Sequence, residues 1–171
     1  MSFREIPAGE LNARPFHTLD QEWALLSAGD SKNFNTMTVS WGQLGTLWNL
    51  PVATVYVRPQ RFTREFLERE DRFTLCFFGG HNQSELAFLG SHSGRDEDKL
   101  AATPGLSVSF EYGTSAPVFE QAGMILICKK IYFGDIAPEN FIAPQLLCDN
   151  YPESDYHRFY VGAVERVLVR E

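Results

Sequence analysis

A chain of 171 residues with 44% apolar and 22% charged side chains suits one globular domain over 1–171 and argues against a disordered segment. Its net charge of −7 lacks the basic footprint of a nucleic-acid binder. No stretch approaches the roughly 20 apolar residues of a membrane span, and Arg4, Glu5, Pro7 and Glu10 do not follow signal-peptide order, so a cytoplasmic protein without a membrane partner is expected.

Taken in chain order, Thr36–Trp41 alternates, with Met37, Val39 and Trp41 on one face and Thr36, Thr38 and Ser40 on the other, as in a half-buried strand. Val52–Val57 is rich in β-branched residues and stops ahead of Pro59, which cannot continue a central strand. Phe62, Phe66 and Leu67 form a helical stripe, with Glu65 and Arg69 as an exposed i,i+4 pair. Phe73, Leu75 and Phe77 share a strand face. Ser84 is positioned to cap a helix over Glu85–Leu89 closed by Gly90, and Asp96 to cap another over Glu97–Ala102 ahead of Pro104. Val108, Phe110 and Tyr112 alternate again. Met124–Phe133 opens as a nearly continuous apolar run, which predicts a strand covered on both faces, and a last strand is expected over Tyr160–Val169. Many strands with a few short helices predict a mainly β fold, a closed or partly open barrel.

Cys76, Cys128 and Cys148 cannot all pair within one chain, so buried thiols are expected rather than a disulfide scaffold. His17, His81, His92 and His157 follow no zinc-ligand spacing, and no metal site is expected. There is no G-x-G-x-x-G, Walker loop or H-E-x-x-H, so any bound nucleotide or flavin needs another device.

Three clusters could supply it. Arg58-Pro59-Gln60-Arg61-Phe62-Thr63-Arg64 leaves a strand through a stiffened turn and enters a helix; arginine forks there match phosphate oxygens. The plain alternative is a solvated charge run balancing Glu65, Glu68 and Glu70. Ser91-His92-Ser93-Gly94-Arg95 through Lys99 joins hydroxyls, a flexible glycine and basic groups suited to an anion, or is an ordinary polar loop. Asn33–Gly42 offers polar groups for a pyrimidine edge, with Met37 and Trp41 as apolar surface, or is simply a strand with one wet face.

Together, N-T-M-T-V-S-W-G, V-Y-V-R-P-Q-R-F-T-R-E-F-L, F-T-L-C-F-F and S-G-R-D-E-D-K, in this order between about Trp23 and Val169, resemble the flavin reductase-like, FMN-binding split-barrel family, which includes flavoredoxins. The resemblance implies a Greek-key split β-barrel whose two chains form FMN pockets at their interface. It implies that Asn35, Thr36, Met37, Thr38, Val39, Ser40 and Trp41 line the isoalloxazine, mainly by backbone groups and the Thr36 and Thr38 side chains. Arg58, Arg61 and Thr63 would hold the phosphate and ribityl chain, and Ser93, Arg95 and Lys99 would close the site. The chain departs from the pattern at Phe62, where tyrosine is frequent, and in a short C-terminus that implies a more open site. His157, ahead of the last strand, stands where relatives can place a histidine near the flavin; without a visible partner it reads equally as structural.

No side chain need act as nucleophile or general base, because the flavin carries the electron chemistry. Three functions are consistent with the residues. One is a reductase in which NADH or NADPH passes hydride to flavin N5. The others are a flavoredoxin-type electron carrier reduced by a protein partner, and a flavin-binding module without turnover. A flat apolar ligand on a small filled barrel also predicts a homodimer, which 14 Phe and 6 Tyr could furnish with both core and interface.

Overall fold

The computed structural model describes residues 2–171. It is mainly β, with strands β1 (Phe3–Ile6), β2 (Ala24–Gly29), β3 (Phe34–Val39), β4 (Gly42–Leu47), β5 (Leu50–Val57), β6 (Arg72–Phe77), β7 (Val108–Ser109), β8 (Val118–Phe119), β9 (Met124–Asp135) and β10 (Arg158–Arg170). The α-helices are short: α1 (Pro15–His17), α2 (Thr63–Arg69), α3 (Gln83–Ser91) and α4 (Pro144–Asn150). The main sheet runs β3-β2-β6-β9-β10-β5-β4, all antiparallel, with β1 on β10 beyond the end of β5 and β7-β8 as a separate hairpin.

The connection from β3 to β4 explains the shape. These strands are the two edges of the sheet, yet only Ser40 and Trp41 separate them. Seven strands laid flat would hold the edges about 29 Å apart. The link from Val39 to Gly42 can reach only about 11 Å. The sheet must therefore curl until its edges approach. No ladder joins β3 to β4, so the expected barrel is open. That opening leaves the outer side of β3 unpaired.

Both faces of the curled sheet are covered. Ala24, Leu26, Leu75, Leu126 and Val167 enter one apolar cluster with Phe66 and Leu67 of α2. Leu25, Cys76, Ile125, Ile127 and Leu168 enter another with Leu86 and Leu89 of α3 and Val118 and Phe119 of β8. This is why β9 reads as a continuous apolar run. Near the middle of β10, a register shift falls at Gly162, where a Cβ would lie 2.5 Å from Phe73 Cζ and 2.7 Å from Cys128 Cβ. Only glycine permits that approach.

Several expected elements differ. The hairpin β4-β5 was not anticipated, because Gly42-Gln43-Leu44-Gly45-Thr46-Leu47 has weak alternation. Its turn places Trp48 and Asn49 at φ 52° and 60°, the primed geometry that suits strand twist although tryptophan rarely adopts it. No helix forms over 97–102; instead Asp98 Oδ1 accepts N–H bonds from Leu100 and Ala101 at 3.1 and 3.2 Å. Local side-chain bonding wins there over helix propagation. Ser84 lies inside α3 and bonds Glu85, while a left-handed Asn82 precedes the helix. Glu65 pairs with Arg95 rather than Arg69. Among the described residues no helix is long and apolar enough to cross a membrane.

Candidate functional site

Two adjoining cavities lie along the open side of β3. The larger, about 320 Å³, is lined by Met37, Thr38, Val39, Ser40 and Trp41 with Tyr56, Arg58, Arg61, Gly90 and His157. The smaller, about 200 Å³, shares Met37 and Arg61 and adds Asn35, Gln60, Phe62, Thr63, Lys99 and residues 91–94. A third hollow of about 750 Å³ lies across Trp41, with Phe16, Leu19, Phe141, Leu146 and Tyr151 among its walls.

The smaller cavity is built by buried polar ties from Asn35 and Lys99 and by an exposed turn at Ser93. Asn35 Nδ2 donates to Thr63 Oγ1 at 2.8 Å, joining β3 to the first turn of α2. Lys99 Nζ donates to the carbonyls of Thr36 at 2.6 Å and Leu89 at 3.2 Å, joining β3 to α3. Ser93 Oγ accepts the Arg95 N–H at 3.2 Å and shapes the loop. Gly94 packs against this floor so closely that a Cβ would sit 2.3 Å from Asn35 Oδ1.

The electrostatics favour an anion. Burial lowers Arg61 from its ordinary value, and its guanidinium has no hydrogen-bond or acidic partner among the described residues. Burial, then the nearby Arg61 charge, brings the Lys99 ammonium down to about 8, with Glu97 opposing. Two partly dehydrated cations beside one cavity, one lowered by the charge of the other, suit an anionic ligand.

The larger cavity has a different construction. Met37 and Val39 anchor in the core while their backbone edge borders the cavity. The Thr36 carbonyl points outward to Lys99, and Thr38, two residues on, directs its backbone groups to the same unpaired side. His157 is buried, and its Nδ1 lies 2.8 Å from the Tyr151 hydroxyl; its ring centre is 5.0 Å from that of Trp41. Burial, then Arg58, lowers His157 to about 4, with Asp155 opposing, so the imidazole is neutral at neutral pH.

Not every expected residue enters these cavities. Thr36 Oγ1 is buried against Ser27 and the Leu26 carbonyl, so its side chain faces away from the opening; the face read as wet is dry here. Arg95 reaches neither cavity: it donates to Gln60 O, pairs with Glu65 and stacks on Phe62, stapling the loop to α2. Arg58 reaches the larger cavity with its terminal nitrogens engaged, Nη1 at 2.5 Å from Asp155 Oδ2 and Nη2 donating to Asn150 O at 2.9 Å. Tyr56, Tyr151, Asp155 and Gln60 were missed. Tyr56 alternates with core valines and could have been found; Tyr151 and Asp155 lie in a segment with no periodic signal. Cys76 and Cys128 are buried thiols, the former pushed up to about 12 by burial. Among the described residues no group of three or more metal-ligating side chains forms.

Residues 16–171 match the model of the flavin reductase like domain, and the chain belongs to that family. No curated protein matches the sequence. Among solved structures, an FMN-binding protein from Thermus thermophilus with bound 1-cyclohex-2-enone is similar at TM-score 0.66 and 24% identity, covering 98% of this chain and 79% of that one. The flavoredoxin of Desulfovibrio vulgaris (Miyazaki F) is similar at TM-score 0.66 and 21% identity, over 95% and 76%. The styrene monooxygenase flavin reductase from Pseudomonas putida S12 is similar at TM-score 0.64 and 19% identity, over 88% and 80%. At these identities the likeness shows a shared fold.

Proposed function

We propose that the chain binds FMN and acts as a flavin reductase using NADH or NADPH. The observation that carries this reading is Arg61, a half-buried guanidinium without an anionic partner among the described residues, in the same small cavity as Lys99. The cavities fit the cofactor. Arg61, Thr63, Ser93 and Lys99 would hold the terminal phosphate, and the unpaired edge of β3 with Ser40 and Trp41 would receive the isoalloxazine. Gly90 and Gly94 keep side chains out of that path; a Cβ at Gly90 would stand 3.2 Å from Thr38 Cβ. Bound FMN would supply the hydride and electron chemistry. The protein's own part is placement: the buried ties of Asn35, Thr63 and Lys99 fix the floor, and Trp41 and Tyr56 exclude water beside a neutral His157.

The apolar hollow beyond Trp41 supports a homodimer. Phe16 and Leu146 in its wall are 93% and 55% exposed, and Trp41 is 45% exposed, a larger open apolar surface than a lone subunit needs. A second copy related by a two-fold axis would cover both hollows with one interface. Light scattering at micromolar concentration is expected to give twice the chain mass, and a flavin-loaded monomer would contradict it.

The half-exposed Trp41 edge also suits a flavoredoxin-type carrier reduced by a redox protein. One experiment separates the two. Anaerobic NADH or NADPH is expected to bleach the visible bands of the FMN-loaded protein rapidly. Bleaching only after a reduced redox protein is added would replace the reductase reading with the carrier.

A further inference from the structure

We propose that Arg58 is a positioning residue: with Asp155 it clasps the segment 150–157 beside the larger cavity and thereby sets His157, through Tyr151, against Trp41. This rests on the flavin reading for its consequence, but its geometry stands alone. Arg58 is the first residue after β5, and its fork grips the segment twice, at the Asn150 carbonyl that ends α4 and at the Asp155 carboxylate. Gln60 Nε2 adds a second donor to Asp155 Oδ2 at 2.8 Å. Between the two grips the chain folds on itself: Ser154 N–H donates to Tyr151 O at 3.1 Å, and Ser154 takes the left-handed φ of 56°. The guanidinium also lies 5.2 Å over the Tyr151 ring. Tyr151 in turn bonds His157, which stacks near Trp41. A chain of contacts therefore runs from Arg58 to the cavity wall.

The clasp explains why two arginines three residues apart behave differently. Among the described residues the Arg61 guanidinium has no partner, and it faces the small cavity; Arg58 has both terminal nitrogens engaged by its own protein. Among the described residues Asp155 Oδ1 is buried without a hydrogen-bond partner, so the side-chain contacts of this carboxylate all fall on Oδ2, where Gln60 and Arg58 hold it below the usual carboxylate range. The segment is thus held by one fork, through the Asn150 carbonyl and a single carboxylate oxygen of Asp155, an arrangement a single substitution opens.

Two measurements on the full chain test it. The first needs no ligand: His157 is titrated by NMR in wild type, Asp155→Ala and Arg58→Lys. The charged groups acting on His157 are Arg58, which lowers its pKa, and Asp155, which raises it; Tyr151 and Tyr56 face it as neutral phenols. On charge alone, Asp155→Ala drives His157 further down. An opened segment hydrates the imidazole and moves it up toward about 6.5. We expect the upward shift in Asp155→Ala and, with the cation retained but the fork lost, in Arg58→Lys. An unchanged or lower value in both would overturn the clasp. The second measurement compares FMN with riboflavin. Arg58→Ala and Asp155→Ala should weaken both flavins equally, by roughly two- to five-fold, since the clasp is a partly exposed pair acting on the ring end. A loss confined to FMN in Arg58→Ala would make Arg58 a phosphate ligand and overturn the proposal. If wild type bound neither flavin, the flavin reading would fail while the His157 titration still decided the clasp.

Discussion

The proposed phosphate end and the proposed ring end of the site are made in opposite ways. The phosphate end comes from short runs of contiguous sequence, Gln60–Thr63 and Ser91–Lys99, each closed by local turns and pinned to β3 by Asn35 and Lys99. Its cations are partly dehydrated and unbalanced. At the ring end, β3 and Trp41 meet Tyr56, Arg58 and a segment some 90 residues later, and Arg58 is already engaged by Asp155 and Asn150 within the protein. The difference separates ligand-directed charge from protein-directed charge inside one motif, R-P-Q-R.

The largest effect that could break this contrast is at Arg61. A hydrogen bond to a charged group contributes about 1.5–3 kcal/mol, so Arg61→Ala should weaken FMN by about ten- to a hundred-fold and leave riboflavin nearly unchanged. Isothermal titration with both flavins checks it; equal losses would mean that Arg61 packs against the ring.

Next is the acid limb of stability at the ring end. His157 has its folded pKa lowered to about 4, below an ordinary value of 6.5. The unfolded chain therefore binds the extra proton first as pH falls, and this stabilisation is present above 6.5 and lost progressively down to about 4. Its size is on the order of 3 kcal/mol. Denaturant melts of wild type and His157→Phe between these pH values should show a shallower slope in the variant; parallel slopes would remove His157 as the titrating group.

A smaller effect sharpens the phosphate end. Free Lys99 sheds its proton above about pH 8, whereas a bound phosphate would hold the proton on. FMN binding above that pH must take up a proton, so its preference over riboflavin should fall by up to about tenfold per pH unit. The ratio of the two dissociation constants, followed from pH 7 upward, should lose this dependence in Lys99→Met. The smallest effect is the control. Arg69 is exposed, stacks on Phe66 and pairs with its neighbour Glu70. Arg69→Ala should alter stability by about 0.5 kcal/mol or less and flavin binding not at all.

Legibility followed the same divide. Period-two alternation located β3 and β6, β-branched content located β5, and a continuous apolar run located β9 because both of its faces are covered. Alternation missed β4, where two glycines erase the pattern, and read the Thr36 face as wet although a second layer covers it. Contiguous motifs exposed the phosphate end. They could not reveal that Arg58 meets Asp155 or that His157 has Tyr151 as its partner, since those contacts are set by strand pairing between β5 and β10 and by a segment without periodicity. Arg95 misled for a related reason: its spacing suits an anion, but Glu65 on the neighbouring helix captures it.

In the proposed function Arg61 and Lys99 together receive a terminal phosphate. Titrating the wild-type apo-protein with FMN and with riboflavin tests it most directly. FMN is expected to bind at least about tenfold more tightly at pH 7, with the gap closing when phosphate in the buffer is raised to compete. Equal affinity for the two flavins would contradict it.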